Sequence, residues 1–332
     1  MNSAAFVILA FMLGIYVLLD GFDLGIASIA PLIGRTGPER ESAMRAIGPF
    51  WNGNEVWLIA GGGALFALFP KAYASAFSGF YLPFVIVLWL LMFRGIAMEL
   101  RGHFATRIWR DFWDFAFTAS SALLVLLFGV ALGNLIRGVP LDANGYFTGS
   151  FGFLLNPYAL LVGLTAVAAL ALHGATFAAM RIDGAPGDRA TALIPKLAAI
   201  ALLGFLATSA ATAAIRWHDL PATWTFALPI VALIALGLAA RFALARRTRE
   251  AFVASTAFLA ALFAAAAATL YPMLLPGYAG ATGIGIFDAA PSTTALLSAI
   301  AAVVVGVVVV GIYGTVVLLP QFREKVTVNL NP

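Results

Sequence analysis

Six ionisable side chains stand where the sequence is otherwise apolar: Asp20, Asp23, Glu55, Arg94, Glu99 and His173, with the amides Asn52 and Asn54 beside Glu55. An ionised side chain near the centre of a bilayer costs about 2.5–3.5 kcal/mol on insertion scales, so a set of them in one chain needs compensation or use. Carboxyl groups in that setting pair with a cation, take up a proton or reach water, and those are the properties of a proton relay. Four carboxyl groups facing one guanidinium cannot all be ion-paired, which leaves protons to exchange among them. The same residues also fit a structural part, in which Arg94 neutralises one acid and the others hold helices in register. His173 reads either as a hydrogen-bonded core residue or as a further polar member of the set. Other chemistries lack their residues. With no cysteine the chain forms no disulfide, thiolate-held iron–sulfur cluster or covalently attached haem. His103, His173 and His218 are too dispersed to clamp a haem between helices, and no phosphate-cradling loop, nucleophile triad or zinc site is present. The residues therefore assign this chain no cofactor and no metal.

The elements that must position these side chains follow from composition. Hydrophobic residues make up 62% of the 332 and charged residues 10%, a balance that no soluble surface tolerates. In hydrocarbon the backbone must satisfy its own hydrogen bonds, and apolar runs of about 20 residues without strand-like alternation select helices. Nine spans result, at roughly 4–33, 50–69, 79–99, 112–136, 156–180, 193–215, 223–243, 252–274 and 293–319. Short gaps, punctuated by Pro38, Pro70, Pro140, Pro157, Pro221 and Pro276, make residues 1–332 a single all-α polytopic membrane domain. The first span is too long for a signal core and stays as a helix. Fifteen Lys and Arg residues fall in or near the gaps after spans one, three, five and seven and in the tail, against Lys71, Arg137 and Arg216 in the opposite gaps. That asymmetry places the C-terminus in the cytoplasm and the N-terminus outside, and it argues against nucleic acid as a partner.

Counting the rise of about 1.5 Å per residue from the cytoplasmic side puts Asp20, Asp23, Glu55, Arg94, Glu99 and His173 in the cytoplasmic half. Asp20 and Asp23, three apart, share a helix face. Short connections make the first three spans neighbours, so one acidic cluster with one arginine is the economical arrangement.

The segment Asp20-Gly21-Phe22-Asp23-Leu24-Gly25, followed by Trp51-Asn52-Gly53-Asn54-Glu55-Val56-Trp57-Leu58, resembles subunit II of the cytochrome bd ubiquinol oxidases, including the cyanide-insensitive type. The likeness continues through Phe93-Arg94-Gly95, Gly133-Asn134, Leu155-Asn156-Pro157-Tyr158 and His173-Gly174-Ala175-Thr176, and more weakly to the basic tail. It implies a haem-bearing subunit I that carries haems b and d, or a substitute for haem d, together with the quinol site, while subunit II holds none. It implies too a complex that oxidises quinol, reduces oxygen to water and draws protons from the cytoplasm. Small accessory subunits stay open, as do lipid and the quinone pool as contacts in the inner membrane.

The resemblance carries most firmly onto Asp23, with Asp20, Asn54, Glu55 and Glu99 as path members and Arg94 as counter-charge. One departure stands out: Asn52 occupies a position where the family commonly has Asp, and an amide does not carry a proton by ionising. Two other functions draw on the same acids: an ion-coupled secondary transporter and a purely structural or assembly subunit.

Overall fold

The computed structural model describes residues 1–216, 227–322 and 325–328. His218, Pro221 and Arg323, of which Arg323 is one of the fifteen basic residues counted above, lie outside the described residues. Among the described residues, eight helices are long and apolar enough to cross a membrane. They are α1 (Asn2–Ile33), α5 (Tyr81–Leu100), α6 (Arg107–Arg137), α8 (Pro157–Arg181), α9 (Ala185–Arg216), α10 (Ala227–Leu244), α11 (Thr248–Leu270) and α13 (Thr293–Tyr313, continued to Val317 by a wider turn). The expected span at 50–69 forms α3 (Trp51–Leu68), 18 residues and about 27 Å long. It is not among the eight, because Asn52, Asn54 and Glu55 crowd its N-terminal end and three glycines dilute its middle. Shorter helices complete the chain: α2 (Gly37–Ile47), α4 (Pro70–Gly79), α7 (Phe151–Leu154), α12 (Ile286–Ala289) and α14 (Leu319–Gln321). A two-stranded antiparallel ribbon joins β1 (Met273–Leu275) to β2 (Ile284–Gly285).

Local sequence sets the breaks. Thr36 caps α2 through the Glu39 N–H while the Glu39 carboxylate accepts from the Thr36 N–H, a reciprocal capping box with Pro38 in the first turn. Asn156 caps α8 in the same sense, with Pro157 at its first position. Pro70 starts a new helix directly after α3.

Two long helices form the spine. Where α1 crosses α8, a Cβ added at Gly25 would lie 1.9 Å from the Leu170 carbonyl oxygen, and one at Gly174 would lie 2.1 Å from the Ile26 nitrogen. Only glycine permits that backbone approach. Gly129 meets Gly163 across α6 and α8 in the same way. The consequence for the site is that α1 is fixed in depth and rotation by α8, and its acids with it.

The charged ends sort as the span pattern requires. One end gathers Arg40, Arg101, Arg189, Arg246 and Lys325 in ion pairs with Asp111 and Asp114, Glu41, Glu39, Asp188 and Asp183 respectively. The other end holds Lys71, near the Gly145 turn, and Arg137, which stacks over Phe153 and Tyr278.

Candidate functional site

The polar residues of α1, α3 and α5 converge on Arg94. This arginine comes six residues before the end of α5, about 9 Å along the axis, and its side chain is fully buried. Its guanidinium forks onto Asp20 in α1, Nη2 donating to Oδ1 at 2.7 Å and Nη1 to Oδ2 at 3.0 Å. Nη1 also donates to Glu55 Oε1 in α3 at 3.1 Å, and Nη2 lies 3.8 Å from Asp23 Oδ2. The fork is the geometry in which arginine binds a carboxylate most strongly. One cation thus faces three carboxyl groups from two other helices, and full ionisation leaves two negative charges without a partner.

Asn54 supplies the remaining donor. Its Nδ2 donates to Asp23 Oδ2 at 2.8 Å and to the Leu19 carbonyl at 3.2 Å, so it ties α3 to α1 and marks Asp23 as an acceptor. Asp23 Oδ1 is buried without a hydrogen-bond partner among the described residues. Asp20 and Asp23 are fully buried, whereas the Glu55 side chain is 24% exposed. The cluster is therefore graded, closed at Asp23 and open at Glu55.

Two expected members lie elsewhere. Glu99 is exposed and has no ion pair among the described residues. Five residues of helix rotate it about 140° from Arg94, which takes it off the cluster's face. His173 is buried across α1 from Arg94, with Nδ1 2.8 Å from Ser255 Oγ, Nε2 3.1 Å from the Leu18 carbonyl, and its ring stacked on Phe252. Both nitrogens are engaged within this chain, so His173 offers none to a haem. Among the described residues no group of His, Cys, Asp and Glu could hold a metal ion. Asn52 is exposed on α3, two positions from the buried Asn54.

Sequence reasoning also passes over a second polar set at the basic end of the bundle. Arg101, nearly buried, donates through Nε to Asp114 and through Nη2 to the Gly37 carbonyl, and pairs with Glu41 at 3.2 Å; Arg40 bridges Asp111 and Asp114. The signal available was Asp111 and Asp114 three apart in the first turns of α6. Nearby, burial acts to raise the Glu39 pKa, yet the Arg189 hydrogen bond and the N–H groups of Arg35 and Thr36 outweigh it and hold the carboxyl below its ordinary range.

Comparison with known proteins bears on what this arrangement serves. A family model described as cytochrome bd terminal oxidase subunit II matches residues 1–319. The chain is 36% identical over 292 residues to a probable cytochrome oxidase subunit 2 of Haemophilus influenzae, covering 77% of each. It is 40% identical over 194 residues to the cytochrome bd-I ubiquinol oxidase subunit 2 of Escherichia coli, covering 57% of this chain and 51% of that relative. Against the cytochrome bd ubiquinol oxidase subunit 2 of Bacillus subtilis it is 36% identical over 208 residues, 63% of this chain and 62% of the relative. The chain thus matches only about half to two thirds of the length of these last two. A solved structure of bd oxidase from Geobacillus thermodenitrificans has the same fold, with a TM-score of 0.79 over 97% of this chain and 98% of that one at 20% identity.

Proposed function

This chain belongs to the cytochrome bd terminal oxidase subunit II family, and from that premise we propose that it serves a quinol:oxygen oxidoreductase of the bacterial cytoplasmic membrane by carrying protons through its Arg94 cluster. The redox chemistry, with its haems and quinol site, belongs in this reading to a haem-bearing subunit I, and the chain itself supplies a membrane scaffold and acids. The basic end of the bundle faces the cytoplasm by the positive-inside rule, which puts the cluster in the half of the membrane from which protons are drawn.

The observation that carries the reading is the uneven satisfaction of three carboxyls around one guanidinium. Asp20 takes the arginine fork and acts as its fixed counter-ion. Asp23, with one oxygen held by Asn54 and the other free, keeps an open site for a proton. Glu55, held by one oxygen and reaching the surface of the bundle, is the point of exchange with whatever lies outside it. Glu99, exposed about 7.5 Å further along α5 and turned off the cluster's face, collects protons in this reading at the surface and not as part of the cluster. Asn52 titrates nothing here, and Glu55, three positions on, takes up the work its family counterpart would do. His173 positions α1 by its bond to the Leu18 carbonyl, one residue from the carbonyl that Asn54 holds.

The test is oxygen consumption with a quinol donor by the purified complex carrying E55Q, N52D/E55Q or neither. Loss of turnover in E55Q with haem content retained, and its recovery in N52D/E55Q, supports exchange at this edge of α3. Full turnover in E55Q removes Glu55 from the path.

A further inference from the structure

The basic end of the bundle holds a cleft that the Arg94 cluster does not use. It opens between the end of α1, the start of α2 and the first turns of α6, with a volume of about 440 Å³, within the range of small-molecule sites. Arg35 and Arg40 stand at its rim, Ala30, Pro31, Met44 and Phe117 line its walls, and Thr118 closes its inner end. Its outer side is apolar: Phe115, also in the lining, is 72% exposed, and Leu32 beside Pro31 is 58% exposed. The cleft therefore joins a cationic rim to a surface suited to acyl chains.

The two arginines are placed differently. Arg40 lies against Gly34, where a Cβ would stand 2.7 Å from the Arg40 Cγ, so glycine leaves room for its stem. Its Nη1 donates to Asp111 at 3.2 Å and to Asp114 at 3.1 Å, and its Nη2 has no acceptor among the described residues. Arg35, two residues past α1, is exposed, and its guanidinium has no partner among the described residues. The carboxylates of the cleft are already engaged. Asp114 also accepts from Arg101 and Asp111 from Arg107, while Glu41 pairs with Arg101. Four arginines thus face three carboxylates, and the unbalanced charge sits at Arg35.

A phosphate group is the acceptor that neighbouring guanidiniums suit best. Free phosphate would leave the Phe115, Phe117 and Pro31 surfaces uncovered, whereas a phospholipid covers them and meets the arginines together. Basic pockets between transmembrane helices take anionic headgroups for this reason. We propose that the cleft between α1, α2 and α6 seats the headgroup of an anionic phospholipid, its phosphate between Arg35 and Arg40 and its acyl chains over Pro31 and Phe115. The bound lipid ties the end of α1 to the start of α6 and takes no part in the chemistry of Arg94.

The test titrates the purified, delipidated complex in detergent with phosphatidylglycerol, phosphatidylcholine or inorganic phosphate, recording thermal midpoints and native mass spectra. Phosphatidylglycerol should raise the midpoint saturably and stay bound in the spectra, and the other two should do neither. Arg35→Gln removes an exposed side chain without a partner, so the chain still folds, and phosphatidylglycerol should bind on the order of tenfold more weakly. Arg35→Glu should abolish the shift. Arg249→Gln, at another exposed arginine of the same end, should bind as the parent does. No shift with phosphatidylglycerol, an equal shift with phosphatidylcholine or inorganic phosphate, or parental affinity in Arg35→Gln overturns the lipid seat. The proton path stands or falls by its own test.

Discussion

Replacing Arg94 by glutamine removes the one cation from a site that holds three carboxyl groups. The arginine is fully buried and makes four nitrogen–oxygen approaches between 2.7 and 3.8 Å. Breaking a buried ion pair by deleting one partner costs about 3–5 kcal/mol, since the abandoned charge stays out of water. With three acids abandoned at once the upper part of that range applies, roughly a thousandfold or more in the folded population. Glutamine keeps a donor but no charge, and lysine keeps the charge without the fork, so R94K should fall between R94Q and the parent. The double variant R94Q/D20N takes away the carboxyl that used the fork and puts two amides in its place. It should recover about 0.5–3 kcal/mol, the coupling usual for residues in direct contact. The assay is the amount of tagged chain and haem retained in membranes, with the thermal midpoint of the detergent-purified complex. An R94Q midpoint equal to that of the parent, or a double variant no better than R94Q, would refute the claim that this arginine holds the cluster together.

Other outcomes follow from the same geometry. Asn54→Leu leaves Asp23 Oδ2 without its hydrogen-bond donor, while the Leu19 carbonyl keeps its helical partner, and should lower the midpoint by an amount worth about 1–3 kcal/mol. Gly174→Ala drives a methyl group into the α1 backbone and should abolish accumulation of the chain, whereas Gly237→Ala in α10 meets nothing and should be neutral or slightly stabilising. Glu39→Gln removes a carboxylate whose pKa is depressed in the folded state, so its contribution is present above about pH 4.3 and is lost as pH falls through the lower folded value. The variant should melt below the parent at pH 7 and converge with it at acid pH, which parallel thermal scans would show; a pH-independent gap would assign the effect to packing instead.

Much of this was legible in the sequence because lipid makes both the apolar spans and the exceptions to them conspicuous. Asp20, Asp23, Glu55 and Arg94 stood out by their expense alone, and the structure brings all four together, Asp20 and Glu55 hydrogen-bonded to Arg94 and Asp23 within 3.8 Å of it. Glu99 stood out for the same reason, yet expense carries no information about rotation, and five residues along α5 turn it away from Arg94. Asn52 and Asn54 look alike in sequence; that one is buried on Asp23 and the other faces outward depends on which stripe of α3 packs on α1. The Gly25–Gly174 contact was not derivable, since a glycine in α1 and one in α8 show no sign in the chain that they meet. The Arg101–Asp114 pair escaped because it lies at the edge of the spans, where charges are ordinary and only burial makes them unusual.

The most direct test of the proton path is a single-turnover measurement on the purified complex, with a pH-indicator dye following proton uptake as oxygen is reduced. Asp23→Asn keeps the shape of the side chain and removes its ionisation, so haem content and electron entry should match the parent while uptake slows about a hundredfold. Uptake at the parental rate and extent in that variant would contradict the account.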